Sequence, residues 1–163
     1  MYNTDMLTQM KNRNAFDIDM GNLEAEKKLK NIGVGVIDLD YLKAVNDHYG
    51  HSFGDEYIKR SAEAIREGLA RDAWAYRTGG DEFVVIMKNI QTKDIATKKA
   101  GELLAKTQAY KIDELKGNNI SISIGISTAP QDGDCYMDLY KRADQALYQA
   151  KRSGKARVCN YFS

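Results

Sequence analysis

The stretch from Trp74 to Met87 limits the fold more than any other part of the chain. Two apolar runs, Trp74-Ala75-Tyr76 and Phe83-Val84-Val85-Ile86-Met87, flank Gly79-Gly80-Asp81-Glu82. Apolar runs on both sides of a glycine pair predict a β-hairpin, with strands over about 73–78 and 82–88. A hairpin joins antiparallel neighbours, so a purely parallel doubly wound sheet is excluded. The turn would carry two acids at its tip, where water or a ligand must satisfy them. Glycines let a phosphate or another backbone come close, and adjacent carboxylates suit a hard cation with oxygen ligands. A solvated, charged turn is the alternative.

Around this hairpin, helical and strand patterns alternate. Residues 5–30 carry an imperfect apolar stripe (Leu7, Met10, Phe16, Met20, Leu23, Leu29) that predicts a helix. Residues 32–39, Ile-Gly-Val-Gly-Val-Ile-Asp-Leu, read as a strand buried on both faces. A short helix is expected over 41–48, and a longer one over 53–70 with Ile58, Ala62, Ile65 and Leu69 on one face. Further helices are expected at 93–109 and 135–152. The alternation of Ile with Ser or Gly over 119–127 predicts a strand with one buried face, and 156–161 a last edge strand. Helices intermixed with strands around a hairpin predict an α+β fold: a mainly antiparallel central sheet flanked by helices, of the ferredoxin-like class.

With 163 residues, no linker-like stretch and no repeat, residues 1–163 read as one domain. Hydrophobic content of 43% and charged content of 29% fit a globular chain. A net charge of +1 gives no electrostatic case for binding nucleic acid. Cys135 and Cys159 lie far apart and match no metal spacing, as in a reduced compartment. No apolar run approaches the ~18 residues of a membrane span, and the polar N-terminus is no signal peptide. The expectation is a cytoplasmic domain without membrane contact.

Candidate chemistry gathers at three places. The first strand ends in Asp38-Leu39-Asp40. Asp40 is placed to cap the helix at 41–48. Asp38 lies within the strand end and faces one side of the sheet. If this strand neighbours the hairpin, Asp38 and Asp81 converge, and two carboxylates with a main-chain carbonyl make a divalent-cation site completed by substrate phosphates. Downstream, Lys43, Asn46, His51 and Asp55 surround Gly50 and Gly54. An Asn amide with an Asp carboxylate suits guanine, whose N1–H and N2–H the carboxylate accepts; a polar loop with a helix cap is the alternative. Lys43 is a candidate phosphate contact or a solvated side chain. Lys151 and Lys155 bracket Gly154, where they complement a helix C-terminus or reach a triphosphate.

The segments RTGGDEF, IDLDYLKAVNDHYGHSFGD and RADQALYQAKRSGKAR, in that order, resemble the GGDEF domains of bacterial diguanylate cyclases, and DMLTQMKNRNAF resembles that family's opening signature. The resemblance implies a fold like the palm of nucleotidyl cyclases, with a catalytic hairpin. It implies condensation of two GTP molecules to cyclic di-GMP with release of two pyrophosphates. It also implies two Mg²⁺ or Mn²⁺ ions per active half-site on Asp38, Asp81 and the Leu39 carbonyl, supported by Glu82. Asn46 and Asp55 would read guanine, with His51 near the nucleotide. Lys43, the amides of Tyr41 and Leu42, Lys151 and Lys155 would hold phosphates. Asp81, or a cation-bound hydroxide, would help deprotonate the ribose 3′-OH. Each domain holds one GTP in this scheme, so a homodimer is required. The family places a regulatory domain upstream, which makes the chain an expected fragment of a longer protein.

Four departures stand out. Gln9 replaces a usual glycine, Leu42 a common phenylalanine and Lys155 a frequent arginine. The family's product-inhibition motif RxxD would fall on Ala70 and Ala73, so feedback inhibition through that site is not expected. The competing reading is a catalytically silent GGDEF module that binds GTP or a protein partner; both acids and both glycines of the turn argue against it. A mixed, ATP-using cyclase is disfavoured by Asp55.

Overall fold

The computed structural model describes residues 2–110 and 119–162. The elements run β1 (Lys11–Asn12), α1 (Arg13–Ala25), β2 (Ile32–Leu39), α2 (Leu42–Tyr49), α3 (His51–Gly68), β3 (Trp74–Arg77), β4 (Glu82–Met87), α4 (Lys93–Ala109), β5 (Ile122–Ala129), α5 (Tyr136–Arg152) and β6 (Val158–Asn160). They build one sheet in the order β1-β3-β4-β2-β5-β6. The three inner pairings are antiparallel, and the outer pairs β1–β3 and β5–β6 are parallel. The four inner strands have ferredoxin-like connectivity, as expected from the hairpin set among helices.

Alternation along the inner strands divides the core in two. Ile37, Phe83, Val85, Ile122, Ile124 and Ile126 point to the layer containing α3 and α4. Val34, Val36, Val84 and Ile86 point to the layer of α1 and α5. Asp38 continues the Val34–Val36 row and Glu82 the Ile86–Val84 row, because side chains two apart share a face. The apolar rows of β2 and β4 thus end in acids on the α5 side.

Three sequence expectations need correction. The helix expected over 5–30 is confined to Arg13–Ala25. Asp5 accepts from the Thr8 backbone N–H and hydroxyl, and Gln9 adopts φ 62°, so the chain turns instead of coiling. Asn12 then caps the helix by accepting from the Ala15 N–H. Gln9 thus occupies a left-handed conformation that favours glycine. The strand expected with one buried face is buried on both. Its small side chains face α5 rather than water: Ser127 donates to the Leu139 carbonyl, and Gly125 lies directly under the helix backbone. Asp40 does not cap α2. It is 1% exposed and accepts from the hydroxyls of Ser121 and Ser123 at 2.7 Å and from the Ala156 N–H at 3.2 Å. It ties the end of β2 to the edge of β5 and to the turn after α5.

Candidate active site

The hairpin and β2 bring their acids together through the backbone. Asp38 and Glu82 are direct cross-strand partners, and the Leu39 N–H donates to the Asp81 carbonyl at 3.0 Å. Asp81 therefore sits beside the strand end that carries Asp38. The turn is held from within: Arg77 donates to the carbonyls of Gly79 at 3.1 Å and Gly80 at 2.8 Å, and pairs with Asp5 at 3.1 Å. Both glycines are exposed, and an added Cβ on Gly80 would meet nothing within 4 Å. The protein itself does not demand a glycine there, and the surface above it is open to a ligand.

Asp38 is the most constrained of the acids. Its Oδ2 accepts from Lys151, while its buried Oδ1 has no hydrogen-bond partner. A buried carboxylate oxygen without a partner costs at least about 1–3 kcal/mol. A cation bound at Oδ1 would remove that cost. Among the described residues no three His, Cys, Asp or Glu side chains gather into a metal-binding cluster. Oxygen donors without a closed cage suit a hard cation that keeps part of its water shell rather than a closed structural metal.

Glu82 is tied to both the hairpin and α5. Its Oε2 accepts from Thr78 at 2.5 Å and from the Tyr140 hydroxyl at 2.8 Å. Burial, and then this bond to Glu82, push the Tyr140 hydroxyl up to about 12. Burial and the Glu82 charge also raise Asp144, one turn along the same helix face. Sequence reasoning missed Thr78, Tyr140 and Asp144. The spacing of Tyr140, Asp144 and Lys151 does place them on one side of a helix, but only the packing of α5 on the sheet shows that this side faces the acids.

The basic residues come from the last turn of α5 and the turn that follows it. Lys155 and Ala156 adopt φ 64° and 49°, and Asp40 holds the Ala156 N–H. The reversal lays the Lys155 ammonium over the Tyr41 ring at 4.3 Å. Burial, and then repulsion from Lys155, lower the Lys151 ammonium from its ordinary value. Tyr41, itself at φ 66°, precedes α2 without a side-chain cap among the described residues.

Asn46 and Asp55 lie on the α2–α3 helical hairpin. Asn46 fits against Gly54: a Cβ there would stand 1.6 Å from the Asn46 Oδ1. Asp55, Lys43 and His51 are exposed. Asp38, Asp81, Glu82, Lys151, Lys155 and Tyr41 thus share one end of the sheet, with Asn46 on the helix that begins there.

The family model described as "Diguanylate cyclase, GGDEF domain" matches residues 2–157. A diguanylate cyclase of Vibrio cholerae is 30% identical over 98% of this chain and 50% of its own length. The cyclic di-GMP phosphodiesterase PdeR of Escherichia coli is 32% identical over 96% of the chain and 24% of its own length. The chain thus spans half or less of these curated relatives. A truncated TpbB (YfiN) of Pseudomonas aeruginosa comprising only the GGDEF domain superposes with a TM-score of 0.88 at 30% identity, covering 98% of this chain and 94% of that one.

Proposed function

Since the chain belongs to the diguanylate cyclase GGDEF family, we propose that it condenses two GTP molecules to cyclic di-GMP. The observation that carries this reading is the unpartnered, buried Oδ1 of Asp38 beside the Asp81 backbone. In it, Asn46 and Asp55 bind the guanine edge. The N–H groups at the start of α2, including those of Tyr41 and Leu42, receive phosphate oxygens, joined by Lys43 and Lys155. His51 lies near the nucleotide. Asp38, Asp81 and the Leu39 carbonyl would hold Mg²⁺ or Mn²⁺, two per half-site, which neutralise phosphate charge and lower the 3′-OH pKa when bound.

Asp81 accepts the 3′-OH proton. The 3′-oxygen attacks the α-phosphorus of the GTP on a facing subunit, and pyrophosphate leaves. The reciprocal attack closes the ring and releases the second pyrophosphate. Lys151 moves from Asp38 onto the phosphates as substrate arrives. Each domain supplies one GTP, so turnover needs a two-fold homodimer, which an upstream regulatory domain would enforce in the cytoplasm, where GTP is available. No helix among the described residues is long and apolar enough to cross a membrane.

The test is to incubate the protein with GTP and Mg²⁺, free and fused to a dimeric coiled coil, and to seek cyclic di-GMP by mass spectrometry. The dimer makes product, and its Asp81→Ala variant, folded by circular dichroism, makes none. A dimer that binds GTP without product would support the silent module instead, a reading to which the similarity to a protein named as a phosphodiesterase lends weight.

A further inference from the structure

Glu82 stands directly opposite Asp38 across the β2–β4 pair, on the face covered by α5. Like charges so placed repel, and Asp144 adds a third carboxyl to the same face. Asp38 is answered by an ammonium, that of Lys151. Glu82 is answered differently: two neutral hydroxyls, from Thr78 in the hairpin and Tyr140 in α5, converge on its Oε2. Neutral donors fix a carboxylate in place without cancelling its charge, so the site keeps the negative potential a cation needs. The Tyr140 ring is itself held. Arg13 lies over it at 4.7 Å, and the Phe16 ring packs against it at 5.8 Å between centroids. Arg13 is in turn bonded to Asp17 at 3.3 Å. A chain of fixed groups therefore runs from α1 through Tyr140 to the second acid of the hairpin.

We propose that Tyr140 is a positioning residue which, with Thr78, sets the orientation of the Glu82 carboxylate beside the cation site. The proposal rests on the reading of Asp38 and Asp81 as that site. Its action runs through Glu82, so removing the Tyr140 hydroxyl weakens cation binding and leaves guanine recognition intact. Groups bonded directly to a metal ligand change affinity or activity by about 10- to 100-fold, and Tyr140, acting through Glu82 beside the ligands and as one of two donors, is expected at the lower end.

Tyr140→Phe keeps the ring against Phe16 and Arg13 and deletes only the hydroxyl. Mn²⁺ affinity, measured by electron paramagnetic resonance in the presence of α,β-methylene GTP, should fall about tenfold, while the affinity for the nucleotide alone is unchanged. Thr78→Val should give a loss of the same kind. In a Glu82→Gln background, Tyr140→Phe should change Mn²⁺ affinity no further. In the dimerised protein kcat should fall with KM for GTP unchanged. Wild-type Mn²⁺ affinity in folded Tyr140→Phe, or an equal loss in the Glu82→Gln background, overturns the proposal. A wild-type dimer that binds Mn²⁺ but makes no cyclic di-GMP overturns the cyclase reading, and the affinity comparison still decides the role of Tyr140. A wild-type protein that binds no Mn²⁺ overturns both.

Discussion

Gly54→Ala separates recognition of the base from stability. Gly54 is buried in α3, and the new Cβ would lie 1.6 Å from Asn46 Oδ1 and 2.8 Å from its Cγ. The obstructing atoms are the far end of a side chain, so Asn46 rotates and the backbone stays. Forcing that rotation costs about 0.5–1.5 kcal/mol. Replacing a helical glycine by alanine returns about 0.8–1 kcal/mol. Stability should therefore change by less than about 1 kcal/mol, the difference of those two terms. Binding should change more, because a displaced amide leaves a guanine group without its partner, at about 1–3 kcal/mol. That corresponds to roughly 5- to 150-fold weaker GTP binding. Calorimetric titration of GTP gives the affinity and urea unfolding the stability. Unchanged GTP affinity in the folded variant would refute the assignment of Asn46 to the base. A large loss of stability would refute the claim that only a side chain moves.

Other substitutions probe the frame and its regulation. Gly125→Ala would set a Cβ 2.0 Å from the Leu147 nitrogen and 2.2 Å from the Ala143 carbonyl, where only backbone can yield. It should destabilise by about 3 kcal/mol or more in urea unfolding, and near-native stability would contradict the described β5–α5 packing. Burial raises the Asp5 carboxyl, but its hydrogen bonds from Thr8 and Arg77 outweigh this and hold it below its ordinary value of 3.8. The unfolded chain therefore takes up this proton first. The contribution of Asp5 is full above the ordinary value and fades as pH falls through the lower folded one. Between neutrality and about pH 3 the wild type should lose more stability than Asp5→Asn; parallel pH profiles would show that the Asp5–Arg77 pair contributes nothing. Cyclic di-GMP added to the active dimer should leave turnover unaffected by any site at Ala70–Ala73, and strong noncompetitive inhibition mapped to that turn would contradict this.

The fold was largely legible because its signals are local. The glycine pair between apolar runs gave the hairpin, and the unbroken apolar run of β2 gave a central strand. What sequence missed depended on contacts between distant segments. Ser123 and Ser127 look like the wet side of a strand until α5 is laid on them. Asp40 precedes a helix, as a cap does, but its acceptors turn to β5 and to the Ala156 N–H, more than 80 residues away. Residues 5–12 follow a helical pattern, yet the Asp5–Thr8 bonds and left-handed Gln9 close a turn instead. At the candidate site, residue types suggested Asp38, Asp81, Asn46 and Asp55. Thr78, Tyr140 and the contact of Lys151 with Asp38 required the tertiary arrangement, since a tyrosine in an amphipathic helix reads as core.

In the proposed function Asp38 and Asp81 share a cation with the triphosphate of GTP. Anomalous diffraction from crystals grown with Mn²⁺ and α,β-methylene GTP tests it most directly. A manganese peak is expected against Asp38 Oδ1, an Asp81 oxygen and the Leu39 carbonyl, with the Lys151 ammonium moved from Asp38 to a phosphate oxygen. Bound nucleotide with no peak between those carboxylates, and Lys151 still on Asp38, would contradict it.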